Sequence, residues 1–380
     1  MSNARPPIQW LPASVLISTP LVAAVGVPWY GISHGFALSH WLVFAFVLAC
    51  NGLSITAGYH RLWAHNTYKA HALLRGFFAL FGAGATQNSI LVWTSGHRRH
   101  HRHVDDNELD PYSAKRGFFF SHIGWMLRDY EASRVDLSNV RDLQRDPIVQ
   151  FQHDHYLPLA IGMNFAPALL AGLLFGDVGG HLLLAGVLRL VVNHHVTFFI
   201  NSLCHMWGKR PYTDANTARD NFWLALFTWG EGYHNFHHLF QTDYRNGVRW
   251  WQYDPTKWLI FGASKIGLAH QLNRVPDFRI RQAQIDMQFQ RAHKKLDVAS
   301  NAEAWRDTLE REYQHFRDLM QEWNQLRQQW VSDKRAQLAE KTAELQRRWQ
   351  QTAVSSRLTE LEFALKQQSK RLHYLTLQLA

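Results

Sequence analysis

Four short runs in this chain concentrate imidazole. His60-Arg-Leu-Trp-Ala-His65, His97-Arg-Arg-His100-His101, Asn201-Ser-Leu-Cys-His205 and His234-Asn-Phe-His237-His238 stand out from an otherwise apolar and aromatic background. Neutral imidazole is the commonest side-chain metal ligand. Residues three or four apart share a helix face, so His97 with His100, or His97 with His101, can point at one ion. His234, His237 and His238 repeat that spacing. His60 and His65 are five apart, which is loose for one α-helical face but works across a helix end. A structural metal such as zinc takes four ligands, so this many histidines serve two metals comfortably. Isolated histidines read as core or interfacial groups; three clusters and a fourth partner do not. The two cysteines, Cys50 and Cys204, exclude a Cys-rich metal site and a disulfide scaffold.

Other histidines need weighing. His103 follows the second run and reads as solvent-facing, and His122 as a structural hydrogen-bonder. His194 and His195 lie inside an apolar segment, where ionisable groups are functional candidates. His194 is seven residues before Asn201, on the same helical face, and is a candidate support behind the metal ligands. Glu231–His234 and Glu312–His315 match the Glu-x-x-His spacing of soluble di-iron carboxylate bundles. That reading leaves His60, His65, His97, His100 and His101 without a role and is set aside.

The elements that position these runs are membrane helices. Of 380 residues 47% are hydrophobic and only 18% charged, against a usual charged share of roughly 25%. The aromatic load excludes a disordered chain. A spanning helix needs about 20 mostly apolar residues, and residues 12–32, 38–58, 156–176 and 180–202 qualify. None has the layout of a secretory signal. The connections near Gly31–Ser39 and Gly176–Gly180 carry no Lys or Arg, whereas the long loop from Tyr59 to His155 is dense in Arg. The positive-inside rule then places that loop and both termini in the cytoplasm. Leu73–Trp93 is also apolar, but it holds Arg75, Gln87 and Asn88 and reads as interfacial or re-entrant, packed against protein. Two out-and-back hairpins bring all four histidine runs to one membrane face. The expected fold is thus an all-α membrane protein: four transmembrane helices in two hairpins with a cytoplasmic helical cap holding a His-rich di-metal site. The membrane part spans residues 1–275. Residues 276–380 form a polar helical tail, in which Trp305, Leu309, Tyr313, Phe316, Met320, Trp323, Leu326 and Trp330 recur at helical steps. It reads as an amphipathic hairpin or coiled coil. The net charge of +10 suits a membrane surface or an acidic partner; no nucleic acid is expected.

With those residues in view, the chain closely resembles the membrane fatty acid desaturases of the stearoyl-CoA type. Ala57-Gly58-Tyr59-His60-Arg61-Leu62-Trp63, Arg116-Gly117-Phe118-Phe119-Phe120-Ser121-His122 and Gly230-Glu231-Gly232-Tyr233-His234-Asn235 extend the likeness over roughly residues 10–275, and the tail looks like an addition found in some bacterial acyl-CoA desaturases. The resemblance implies two iron ions, O2 as co-substrate, and two electrons from a separate donor of the ferredoxin/flavin reductase or cytochrome type. It implies a cis double bond in a long acyl chain, commonly between carbons 9 and 10, and in a bacterium the inner membrane. The implied ligands are His60, His65, His97, His100, His101, His205, His234, His237 and His238, with Asn201 holding a metal through water. Implied or candidate substrate contacts are Leu48, Gly52, Trp63, Gln87, Asn88, Trp93, Lys115, Arg116 and Phe198. Leu48 and Gly52 are placed by the resemblance at the closed end of the acyl tunnel; Gly52 also suits close helix packing.

One departure bears on the substrate. Animal acyl-CoA enzymes have Arg-Asp before the second run, where this chain has Ser95-Gly96. Acyl-CoA, acyl carrier protein and acyl-lipid therefore all stay open as carriers. The chain has no flavin or nicotinamide fingerprint of its own. Imidazole suits zinc, copper and nickel as well as iron, and recombinant material can carry zinc. The alternatives are an alkane or fatty acid hydroxylase with similar histidine runs and, in another class, a His-rich metal transporter. Transport would need ligands along a path near the bilayer midplane, not gathered at its edge.

Overall fold

The computed structural model describes residues 5–296 and 302–378. They divide into two compact units, residues 1–291 and 292–380. The first unit is helical. Its long apolar helices are α1 (Trp10–Ser33), α2 (Leu38–Ala64), α6 (Tyr156–Phe175) and α7 (Val178–Met206). Between them lie α3 (Ala72–Gly84), α4 (Ile90–His103) and α5 (Pro147–Asp154). After α7 come α8 (Phe222–Phe227), α9 (His234–Leu239), α10 (Pro255–Lys265) and α11 (Asp277–Leu296). A minimal antiparallel ladder pairs β1 (Lys69–Ala70) with β2 (Ala269–His270).

The four spans form the two expected hairpins. Asp177, in the α6–α7 turn, ties the pairs together: it accepts hydrogen bonds from Tyr30 at 2.6 Å and from His40 at 2.9 Å. α2 and α7 outrun the expected limits at their histidine-bearing ends. Their 27 and 29 residues give roughly 40 Å at about 1.5 Å per residue, longer than a hydrocarbon core of about 30 Å. His60 and His205 sit in those excess turns.

The Leu73–Trp93 segment does not span. It breaks into α3 and the start of α4, and Thr86 and Asn88 at the break have φ of 55° and 76°. The C-terminal carbonyls of α3 would be orphaned in this setting. Asn51 of α2 donates to Phe81 O, Arg189 of α7 donates to Gly84 O at 3.0 Å, and His194 bonds Ala85 O at 3.0 Å and Thr86 O at 3.3 Å. Arg189 is fully buried and also bonds Asn164 of α6. Side chains from two spans, α2 and α7, thus satisfy the end of a helix that stops inside protein, with Asn164 of α6 holding Arg189 in place, as re-entrant backbone requires. His194 is occupied here rather than behind a metal ligand.

Of the two expected forms of the tail, hairpin or coiled coil, a single long helix is compatible with the second. α12 (Ala302–Gln378) runs unbroken for 77 residues, with no Gly or Pro to turn it. Leu326, Trp330, Leu338, Leu345 and Trp349 are exposed along it. The unit boundary also falls later than residue 276, because Ile280 of α11 packs with Tyr212 and with Phe236 of α9.

Candidate metal centre

The π-helical end of α2, Ser54–Ala64, resolves the five-residue spacing of the first run. The His65 N–H donates to His60 O at 3.1 Å, an i→i−5 bond. A π turn brings residues five apart onto one face, a device common at functional sites. The two imidazole rings lie 4.8 Å apart.

Nine histidines then sort into two sets. His60, His65, His97, His101 and His237 form the first, and His100, His205, His234 and His238 the second, each with its nitrogens within 4.8 Å of one another. Residues four apart stay together: His97 with His101, and His234 with His238. Residues three apart separate, so that His100 and His237 cross to the other set. α4 and α9 therefore each feed both sets, which is a refinement of the expected sharing of one ion by each run.

The ring nitrogens face inward. Nε2 of His60 lies 3.0 Å from that of His237, His65 2.8 Å from His97, and His237 3.0 Å from His101. In the second set, Nε2 of His234 is 3.1 Å from those of both His205 and His238. Imidazoles bound at about 2.0–2.1 Å and at right angles around one ion have nitrogens about 2.8–3.0 Å apart. The donors thus fit a metal in each set. Burial, reinforced by neighbouring imidazoles, holds His65, His97, His101, His234, His237 and His238 well below the usual histidine pKa. They are neutral at pH 7, the form that binds metal.

The other ring nitrogens are held from behind, by partners to which no such role was assigned from the sequence. Glu231 Oε2 is 3.0 Å from His60 Nδ1, and Asp110 Oδ1 is 2.9 Å from His100 Nδ1. His205 Nδ1 meets Thr217 Oγ1 at 2.9 Å, and that hydroxyl donates to Asp105 at 2.6 Å. Such contacts fix ring orientation and tautomer. Glu231 is therefore not a carboxylate ligand paired with His234; it orients His60. Burial would raise its pKa, but His60 and Arg61 hold it down to about 2, so it stays ionised. Asp220 accepts from the N–H groups of Asn235 and Phe236 at 2.8 and 3.1 Å and anchors the start of α9. Asn235 explains its own place in the third run: its side chain bonds Tyr212, Thr213 and Ala218 and so shapes the loop that carries Thr217. Arg98 points away from the metals, pairing with Asp142 and bonding the carbonyls of Trp63 and Ala64.

The candidate substrate residues divide. Trp93 stacks on His97, with ring centroids 4.9 Å apart, and its indole N–H donates to Gln87 at 3.4 Å. Gln87 donates onward to Thr197 of α7. These residues adjoin the first set. Trp63 is buried and meets Tyr59 edge-on, Phe198 is buried and stacks on His194, and Asn88 donates its N–H to Tyr156. Gly52 abuts Trp229, whose indole occupies the space a Cβ would need; Leu48 lies one turn earlier. Lys115 and Arg116 stand apart at the surface, where the Arg116 guanidinium stacks on Phe120 and Tyr130. Ser95 is buried and donates to Asp136 O, so it is not available to an anionic ligand. Asn201 closes the helical stretch Arg189–Asn201, one turn before His205.

A family model described as fatty acid desaturase matches residues 39–270. The chain belongs to that family. A relative from Schizosaccharomyces pombe named "Probable acyl-CoA desaturase" is 43% identical over 85% of this chain and 66% of its own length. "Acyl-CoA desaturase 1" of Saccharomyces cerevisiae is 41% identical over 78% of this chain and 58% of its own length. "Stearoyl-CoA desaturase 5" of Bos taurus is 38% identical over 62% of this chain and 70% of its own length. The chain thus spans less than two thirds of the two yeast relatives. With four apolar helices of spanning length, this desaturase family member is an integral membrane protein with a metal site of histidines.

Proposed function

We propose that the protein is a fatty acyl desaturase that introduces a cis double bond, at carbons 9 and 10, into a long saturated acyl-CoA. The observation that carries this reading is the pair of buried histidine sets sharing α4 and α9. Nine imidazoles gathered in two sets suit two irons. Names of the relatives support acyl-CoA as the carrier.

An unactivated methylene has no acidic proton, so no side chain can begin the reaction as a general base. Two irons with O2 supply the oxidising power for hydrogen removal, and the electrons come from a separate carrier. His60, His65, His97, His101 and His237 would hold one ion; His100, His205, His234 and His238 would hold the other, with Asn201 acting through water. The chain's own task is to orient the acyl chain and keep water out. Trp93, fixed on His97 and braced by Gln87, supplies a rigid apolar wall beside the first set. Lys115 and Arg116 offer cationic contacts to phosphates. The Arg-rich loop supports a cytoplasmic side for the site and both termini, where an acidic electron carrier would be drawn to a basic face.

Expression in a desaturation-deficient cell with lipid profiling tests this reading. A new cis-9 monoene is expected. A product that gains oxygen without losing two hydrogens would instead make the protein a hydroxylase.

Leu48→Trp is expected to shift products to shorter chains without moving the bond relative to the carboxyl end, as read by mass spectrometry of the products. Gly52→Trp would also have to expel the Trp229 indole, so Trp229→Ala, which opens that same space, is the better partner and should lengthen the accepted chain. Truncation after about Leu296, which keeps Ile280 in place, should leave two metals bound. Metal analysis checks this, and loss of metal from a folded truncation would give the tail a part in the site.

A further inference from the structure

Two spans serve as rulers for the depth of whatever packs against them. α6 has 20 residues, about 30 Å at the α-helical rise, which is the thickness of a hydrocarbon core. It reaches from one boundary at Phe175 to the other at Tyr156, on the side of the histidines. α2 runs the same way from Leu38, and the two outer ends are level, because Asp177 just beyond α6 accepts from His40 of α2. By this count Asn51 of α2 and Met163 of α6 each lie about 10 Å inside the histidine-side boundary. Both touch the end of α3: Asn51 donates to Phe81 O, and Met163 fills the space beside Gly84. The two rulers agree.

The level of the cap follows from the same ruler. Thr256, in the first turn of α10, donates to Trp229 O at 2.8 Å and accepts from Thr56 of α2 at 2.7 Å. Thr56 lies within one turn of the boundary, so the start of α10 and the residue two beyond α8 sit there as well. Ile260 and Ala263 of α10 join Ile55 and Ala57 of α2 in one buried cluster. The other face of α10 is apolar but bare: Trp258 and Phe261 are exposed, as are Trp223 and Phe227, one turn apart on α8. Exposed apolar patches of this kind mark an interaction surface, and at a hydrocarbon boundary aromatic residues are the expected ones. The loop before α10 presents two more. Lys257 is buried, and its ammonium donates to Gly247 O and Arg249 O at 2.7 Å and to Gln252 O at 3.0 Å. That clamp closes the loop and leaves Trp250 and Trp251 outside it, 85% and 58% exposed. Charge follows the same pattern. Between Tyr244 and Pro276 the only acid is Asp254, which is fully buried, whereas Arg249 and Lys265 are exposed. Lys265 Nζ lies 4.8 Å from the Phe261 ring, so a cation rims the apolar face, as on helices that lie in a membrane surface.

We infer that α8, the Arg249–Gln252 loop and the outer face of α10 dock into the leaflet on the histidine side and take anionic phospholipid headgroups on Arg249 and Lys265. The cap then has a rim held in lipid, continuous with the lipid-facing surface of the spans. The competing occupant is an acidic soluble protein, which the same cations would also attract. It would need the patch to stand in water, whereas Thr56 and Thr256 set the patch at the hydrocarbon boundary.

Spin labels on introduced cysteines separate the two occupants, since Cys50 and Cys204 are buried and stay unlabelled. The full-length protein is reconstituted in vesicles of phosphatidylcholine and phosphatidylglycerol. Labels at Trp223→Cys, Phe227→Cys and Phe261→Cys should meet oxygen freely and a water-soluble nickel chelate hardly at all, at a depth within about 5–10 Å of the headgroups. Leu170→Cys, exposed on α6, gives the lipid reference, and Glu108→Cys, exposed in the loop after α4, the water reference. Metal content identifies any variant that misfolds, and the remaining positions then decide. Nickel access equal to that of Glu108→Cys would overturn the docking and leave the patch to a soluble partner. For the headgroups, a fluorophore at Phe261→Cys should be quenched more by doxyl-labelled phosphatidylglycerol than by doxyl-labelled phosphatidylcholine. Arg249→Gln and Lys265→Gln should each lower that preference about 5-fold. Equal quenching by the two lipids with both cations in place would overturn the headgroup site.

Discussion

Alanine in place of His234 is expected to remove one metal and essentially all turnover. Nε2 of His234 is the hub of the second set, 3.1 Å from both His205 and His238. Without it, His100, His205 and His238 remain, one of them held only by a loop through Thr217. Metal analysis should fall from two ions towards one, because His60, His65, His97, His101 and His237 are untouched. Turnover should fall by more than the ~10–100-fold that loss of an outer hydrogen-bond partner costs. His101→Ala leaves four histidines in the first set, so it should cost turnover with a smaller loss of metal than His234→Ala. Asp110→Asn, which only weakens the support of His100 Nδ1, should land inside that 10–100-fold range. His103→Ala, beyond either set, should keep most activity and both metals. Two bound metals with full turnover in His234→Ala would break the assignment.

The histidine runs were legible because helical spacing is local. His97 with His101, and His234 with His238, follow from four residues on one face, and the hydropathy of the spans follows from composition. What was not legible is long-range. Whether His100 or His237 stays with its own run depends on how α4 and α9 cross, which no local pattern encodes. The five-residue gap of the first run reads as a helix end until a π turn is allowed. Glu231, Asp110 and Asp105 are ordinary acids in the sequence; only the fold sets them behind His60, His100 and Thr217. The Glu-x-x-His spacing even misdirects, since Glu231 serves a histidine on another helix. His194 looked like a support for the metals because it shares a face with Asn201, but the orphaned carbonyls at the end of α3 take its ring. The tail's helical period was legible, but whether that helix turns back on itself was not.

Arg61→Ala is expected to unfold the site rather than merely slow it. Arg61 is almost completely buried, as are Glu231 and Asp254. Its guanidinium lies 2.9 Å from Glu231 and 3.0 Å from Asp254, and it also donates to Tyr244 O at 2.8 Å. Removing one partner of a buried ion pair costs about 3–5 kcal/mol, because the other charge is left unpaired in a poor solvent. Here two carboxylates are left. Asp254 has backbone donors in Asn246, Gly247 and Lys257, so it is partly provided for. Glu231 is not: it keeps Asn246 and His60, and relief comes only by taking a proton. A protonated Glu231 no longer draws the His60 Nδ1 proton, and the first metal set loses its orienting contact. Arg61→Ala should therefore lower the melting temperature and metal content together. Arg61→Lys, which restores the charge without the two-pronged geometry, should recover part of each. The double change Arg61→Ala with Glu231→Gln is the deciding measurement. If the cost comes from the stranded charge, the double variant will be more stable than Arg61→Ala alone, while its metal content stays low because the carboxylate behind His60 is gone. A double variant no more stable than Arg61→Ala would place the cost in lost packing instead.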